Sequence, residues 1–99
     1  MSVYIVATLK IEDRDAYGRY EDGFMEIFAR FDGELLSVDE APVQVEGDWP
    51  WTRTVLIRFP DADAMWRWYR SEDYQALMQH RLQASTGNIV MIQGLPGTP

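Results

Sequence analysis

The sequence predicts an α+β domain with elements in the order β-α-β-β-α-β. Three short runs, Val3 to Leu9, Thr52 to Phe59 and Asn88 to Gln93, place apolar residues at both parities, as strands covered on both faces do. Between them lie segments whose apolar residues recur at helical spacing. A chain of 99 residues has room for a single hydrophobic core.

In the first strand Val3, Ile5, Ala7 and Leu9 alternate with Tyr4 and Val6, which predicts a central position in the sheet. Glu12-Asp13-Arg14-Asp15 opens a helix with acidic groups where the helix dipole favours them. Tyr17, Tyr20, Phe24, Ile27, Phe28 and Phe31 form its stripe. Gly18 and Gly23 lie inside it and cost about 1 kcal/mol each relative to Ala. Asp32-Gly33 is expected to end the helix through a residue of positive φ.

Glu34 to Val38 reads as a weaker edge strand. Pro42, Gly47 and Pro50 make Asp39 to Trp51 a long irregular connection, with a short extension expected over Val43 to Val45. Trp49-Pro50-Trp51 is expected to close one end of the core, the alternative being contact with a second subunit or a ligand. In the next strand Val55, Ile57 and Phe59 share one face; Thr54, Leu56 and Arg58 share the other. Pro60 stops it, and Asp61 caps a helix with Ala62, Met65, Trp66 and Tyr69 on its stripe and Trp68 at the margin. Ser71 starts a second helical segment carrying Tyr74, Leu77, Met78 and Leu82. Gly87 opens the last strand. The expected domain covers residues 1–94, with residues 95–99 a loose tail.

This order fits a ferredoxin-like antiparallel sheet with helices on one face. The other face is still apolar in all three strong strands, so it needs a cover that one chain lacks. A second copy supplies one, and a homodimer through the sheet face is predicted.

Composition narrows the function classes. The net charge of −7, from 9 basic and 16 acidic residues, argues against nucleic acid and against an anionic membrane surface. With no Cys and one His, thiolate chemistry and a typical zinc site are excluded. The N-terminus has no signal-peptide pattern, and a cytoplasmic location is the default expectation. Phosphate loops, carboxylate dyads, nucleophile elbows and cofactor motifs are absent, so no metal and no cofactor is expected.

Several landmarks occur together and in order: the opening strand, Asp15-Ala16-Tyr17 with Tyr20, the Phe31-Asp32-Gly33 turn, and Glu46-Gly47-Asp48-Trp49. Further on come Phe59-Pro60, Trp68-Tyr69-Arg70-Ser71 with Tyr74, then Arg81 and Gly94. In this set the chain resembles the small bacterial family DUF1330, a domain of unknown function within the dimeric α/β-barrel superfamily. It departs at Asp32-Gly33, where that family usually shows two glycines. The resemblance implies a ferredoxin-like fold and a dimer, and carries no activity.

Arg81 is the leading candidate for a functional residue. It falls mid-stripe on the second helical segment, where a guanidinium must find acceptors, either protein groups or the anionic oxygen of a ligand. His80 stands at the stripe's edge and, in a pocket, could shuttle a proton near neutral pH. Tyr74 and Tyr69 are core rings with hydroxyls directed to a rim. Arg58 and Arg53 take opposite faces of one strand; Arg58 belongs to the dimer-facing side. The sequence does not decide whether the protein is an enzyme. Three readings stand: binding of a small acidic or aromatic metabolite, a cofactor-independent oxygenase or isomerase, and a structural or interaction domain.

Overall fold

The computed structural model describes residues 1–97; of the tail expected over 95–99, Thr98 and Pro99 lie outside the described residues. The elements are β1 (Val3–Ile11), α1 (Arg14–Phe28), β2 (Glu34–Asp39), β3 (Arg53–Phe59), α2 (Ala62–Tyr69), α3 (Glu72–Ala84) and β4 (Ser85–Gln93). The four strands lie in the order β2-β3-β1-β4, and every neighbouring pair is antiparallel. β1 is central, as its two-sided apolar pattern requires, and β2 is an edge strand with a bulge between Leu35 and Ser37. The sheet is open, with β2 and β4 as its edges, so one chain closes no barrel.

Strand alternation divides the side chains between two faces. Val3, Ile5, Ala7 and Leu9 are buried under the helices together with Ile57 and Phe59. The intervening Tyr4, Val6 and Thr8 pair in register with Arg58, Leu56 and Thr54 on one side, and with Ile92, Val90 and Asn88 on the other. No helix covers that second face. The slab is only 16 Å across its thinnest dimension, and Val90 and Ile92 remain 51% and 48% exposed.

Side-chain caps set the helix boundaries. Asp13 accepts from the Ala16 amide at 3.0 Å, and Asp61 accepts from the Ala64 amide at 2.8 Å. Ser71 serves both sides of the break between α2 and α3. Its hydroxyl donates to the Trp68 carbonyl at 2.8 Å and accepts from the Tyr74 amide at 3.2 Å. β4 follows α3 directly: the Ala84 carbonyl accepts from the Glu12 and Asp13 amides at 2.8 and 3.0 Å, tying the end of α3 to the end of β1.

Five local expectations are corrected. Gly33 has no positive φ; α1 ends instead at Ala29 in right-handed geometry. Gly33 is required for space, since a Cβ there would stand 2.6 Å from Phe28 Cε1 and 2.8 Å from Phe59 Cε1. Val43 to Val45 forms no strand, because residues outside the β2–β3 ladder find no partner; the two valines are 88% and 90% exposed. Trp49 is 44% exposed and does not seal the core, though Trp51 is half-buried. On α2 the buried residues are Ala64, Met65 and Trp68, while Trp66 turns outward under the Arg70 guanidinium, 4.2 Å from its ring centroid. An eight-residue helix is too short for periodicity to separate these two stripes. On α3 the buried face runs through Tyr74, Met78, Arg81 and Ala84, and Leu82 is 52% exposed.

The two glycines of opposite character give a stability test. Gly33→Ala is expected to cost about 1–3 kcal/mol through overpacking against Phe28 and Phe59. Gly18→Ala meets nothing within 4 Å and should gain about 0.5–1 kcal/mol from helix propensity. Urea denaturation of both variants beside the parent measures the pair.

Candidate functional site

A cavity of ≈ 220 Å³ lies between the helical layer and the sheet. Its floor is Ile5, Ala7 and Leu9 of β1 with Val55 and Ile57 of β3, and the small Ala7 leaves depth that its neighbours do not fill. Tyr17, Tyr20 and Phe24 of α1 form one wall; Trp68, Tyr74 and Arg81 form another. Val38, Met25, Glu21 and Arg53 also line it, and the exposure of Val38 and Met25 places the opening toward the β2 edge.

Polar groups are few and concentrated on the helical side. The Tyr20 and Tyr74 hydroxyls lie 2.6 Å apart and share one hydrogen bond. Burial pushes Tyr20 well above a tyrosine's ordinary pKa of 10.0, with the neighbouring Tyr74 hydroxyl adding to the effect. Tyr74 is also raised by burial, against the opposing influence of Tyr20 and the Arg81 guanidinium. Tyr17 is raised by burial too, with Arg53 as the main opposing charge.

The two inward-facing arginines differ in how they are compensated. Arg53 pairs with Glu21 at 3.3 Å and Glu40 at 3.2 Å, and its guanidinium stands 5.3 Å from the Tyr17 ring centroid. Arg81 is only 8% exposed, and no carboxylate among the described residues lies within ion-pair distance of it. Its guanidinium carbon is 5.9 Å from the Tyr20 ring centroid. Four buried side-chain polar atoms have no hydrogen-bond partner among the described residues, and three belong to cavity-lining residues: Arg53 Nε, Trp68 Nε1 and Arg81 Nε. Leaving a buried donor unpaired costs about 1–3 kcal/mol, so each of these atoms works against folding stability.

Of the residues singled out from sequence, Arg81 and Tyr74 meet at this cavity. Tyr69 packs beside Tyr74 at 5.8 Å between ring centroids but does not line it. His80 is half-buried on α3, also off the lining. Arg58 lies on the uncovered face, where it pairs with Glu34 across the β2–β3 ladder. The cavity adds Tyr17, Tyr20, Trp68, Arg53 and Glu21. A signal for two kinds of these was present in the sequence. Tyr17 and Tyr20 carry hydroxyls in a stripe otherwise built from Phe and Ile, and Arg53 shares the parity of Val55, Ile57 and Phe59. Among the described residues no group of three His, Cys, Asp or Glu side chains is placed to hold a metal ion. None of the described helices is long and apolar enough to cross a membrane.

Sheet order and a helical layer on one face define a ferredoxin-like α+β protein. The chain belongs to the DUF1330 family, a domain of unknown function, whose model matches residues 2–95. No curated protein sequence matches it. Solved structures of similar fold include RPA0582 from Rhodopseudomonas palustris, a protein of unknown function, at 17% identity and a TM-score of 0.78, covering 95% of this chain and 82% of that one. A dimeric ferredoxin-like protein of unknown function from Jannaschia sp. CCS1 is similar at 16% identity and TM-score 0.70, covering 95% and 100%. SnoaB, a cofactor-independent oxygenase from Streptomyces nogalater, is similar at 15% identity and TM-score 0.68, covering 99% and 97%. At these identities the likeness carries the fold alone.

The raised tyrosines predict an alkaline limit to stability. Their folded pKa values exceed the unfolded value, so the stabilisation is full below about pH 10 and is lost as pH rises through the folded values. The urea midpoint should hold up to about pH 9 and fall above about pH 10, less steeply in Tyr20→Phe, which removes the most strongly raised hydroxyl.

Proposed function

We propose that the protein binds a small acidic or aromatic metabolite in the cavity between α1, α3 and the sheet, with Arg81 as its polar anchor. The observation that carries this reading is the buried Arg81 guanidinium, which faces an apolar, aromatic-walled space without a carboxylate partner. Few polar groups in a mostly apolar concavity is the usual composition of a small-molecule site. Tyr74 completes the polar end. Tyr69 packs against Tyr74 from outside the lining, His80 takes no part in it, and Arg58 serves the opposite face.

A cofactor-independent oxygenase or isomerase would use the same cavity, and the similarity of fold to SnoaB supports that reading. It is the weaker one, because the cavity's hydroxyls are held above their ordinary range, away from a base working near neutrality. A thermal-shift panel of small aromatic carboxylates and phenols tests binding directly. A ligand at about a hundredfold excess over its Kd adds about 2.7 kcal/mol, or a rise of several degrees in Tm. Arg81→Ala should weaken the same ligand at least about tenfold, a loss of about 1.4 kcal/mol. If no compound moves Tm, the cavity is a packing void and the interaction-domain reading takes its place.

The assembly we propose is a homodimer through the uncovered sheet face, two open sheets facing each other to make the barrel that one chain does not close. Its support is the row of Tyr4, Val6, Leu56, Val90 and Ile92 left without a covering layer, and the dimeric state of similar folds from Jannaschia sp. CCS1 and Bacteroides fragilis. Facing sheets pack about 10 Å apart, which lets such side chains interdigitate. Sedimentation at micromolar concentration should return twice the mass of 11.5 kDa, and Val6→Asp should shift the population to monomer.

A further inference from the structure

We propose that the cavity holds its ligand as an oxyanion: a small aromatic phenol or enol bound in its deprotonated form, with the charge beside Arg81. This rests on the binding reading above and specifies the form of the ligand. The unpaired buried polar atoms of the residues that line the cavity are all of one kind. Arg53 Nε, Trp68 Nε1 and Arg81 Nε are N–H donors, none of which can accept, and no buried acceptor of the cavity lining is left unpaired among the described residues. The tyrosine pair adds to this count. Two hydroxyls bring two protons, their mutual bond at 2.6 Å uses one, and the other is available to an acceptor. Glu21, the carboxylate of the lining, is engaged by Arg53, so a guest that only accepts is better matched than one that donates: it meets the Arg81 guanidinium and the remaining tyrosine proton.

Charge and size narrow the class. Arg53 is balanced by Glu21, and Glu40 is shared with Arg14, whereas Arg81 has no carboxylate among the described residues, so a guest of single negative charge neutralises the site. Taking a charge out of water costs least when it is spread over a ring, which favours a phenolate or enolate over a localised carboxylate in this apolar space. The ≈ 220 Å³ exceeds the ~150 Å³ apolar cavity known to take benzene, leaving space for one substituted ring. Tyr20 and Tyr74 keep their protons at neutral pH, as an ordinary pKa of 10.0 already ensures and burial reinforces, so they remain donors toward an anion.

The test uses the full chain and 4-nitrophenol, whose ionised and neutral forms have separate absorption bands. With protein in excess, the bound phenol's pKa should drop by at least about one unit, equivalent to about tenfold tighter binding of the anion than of the neutral form. Benzoate and the non-ionisable nitrobenzene should both bind more weakly than the phenolate. In Arg81→Met the drop should vanish while nitrobenzene is retained, and in Trp68→Phe it should shrink. A bound pKa that is unchanged or raised overturns the oxyanion proposal and leaves the binding reading intact. Benzoate binding as tightly as the phenolate also overturns it, in favour of a general carboxylate site, as does an undiminished drop in Arg81→Met. Failure of all three compounds to bind overturns the proposal and the binding reading together. The titration of the unaltered protein decides the direction even if a variant does not fold.

Discussion

The Trp68 ring touches every part of the helical layer that must hold to the sheet. Its centroid lies 4.3 Å from that of Tyr74 on α3, 5.5 Å from Phe59 on β3, and 5.7 and 6.2 Å from Phe28 and Phe24 on α1. Edge-to-face and tilted pairs of this kind add to the energy of plain area burial and fix ring orientation. The two caps around the ring keep it there: Asp61 starts α2, and Ser71 binds the Trp68 carbonyl while opening α3. Flat, stiff rings locked at mixed angles leave space above a residue as small as Ala7. The cavity therefore follows from the same packing that secures the helices.

Around that void the chain places its inward-facing charge in two different ways. Arg53 enters from β3 and is met by Glu21 of α1 and Glu40 of the loop after β2, while Glu40 also pairs with Arg14. That group of charges links the start of the long β2–β3 connection to α1 and the rim. Arg81 enters from α3 in the position an aliphatic residue would take on the buried face, beside Tyr74 and Met78, and has no such partner. Placing a guanidinium there works against folding stability, because its hydration is lost with incomplete return.

The sheet has the same asymmetry at a larger scale. One face is closed by α1, α2 and α3, and the other carries Val6, Leu56, Val90 and Ile92 in adjoining rows. β2, one of the two edges, is short and bulged, features that discourage open-ended edge pairing. The molecule thus discourages association along β2 while presenting an apolar surface on its open face.

The sequence by itself determined the element order, the two-sided character of β1, the caps at Asp61 and Ser71, and the inward parity of Arg81. Each of these depends on spacing within a single strand or helix, where geometry converts residue type into direction. Only the tertiary structure decided that Trp68 rather than Trp66 is core, and that Gly33 is needed for space beside Phe28 and Phe59 instead of for backbone freedom. It also decided that Arg53 finds two carboxylates where Arg81 finds none, and that Tyr20 reaches Tyr74 across 54 residues of chain. Those outcomes depend on where separate elements come to rest against one another, and a cavity is a property of that arrangement and not of any segment.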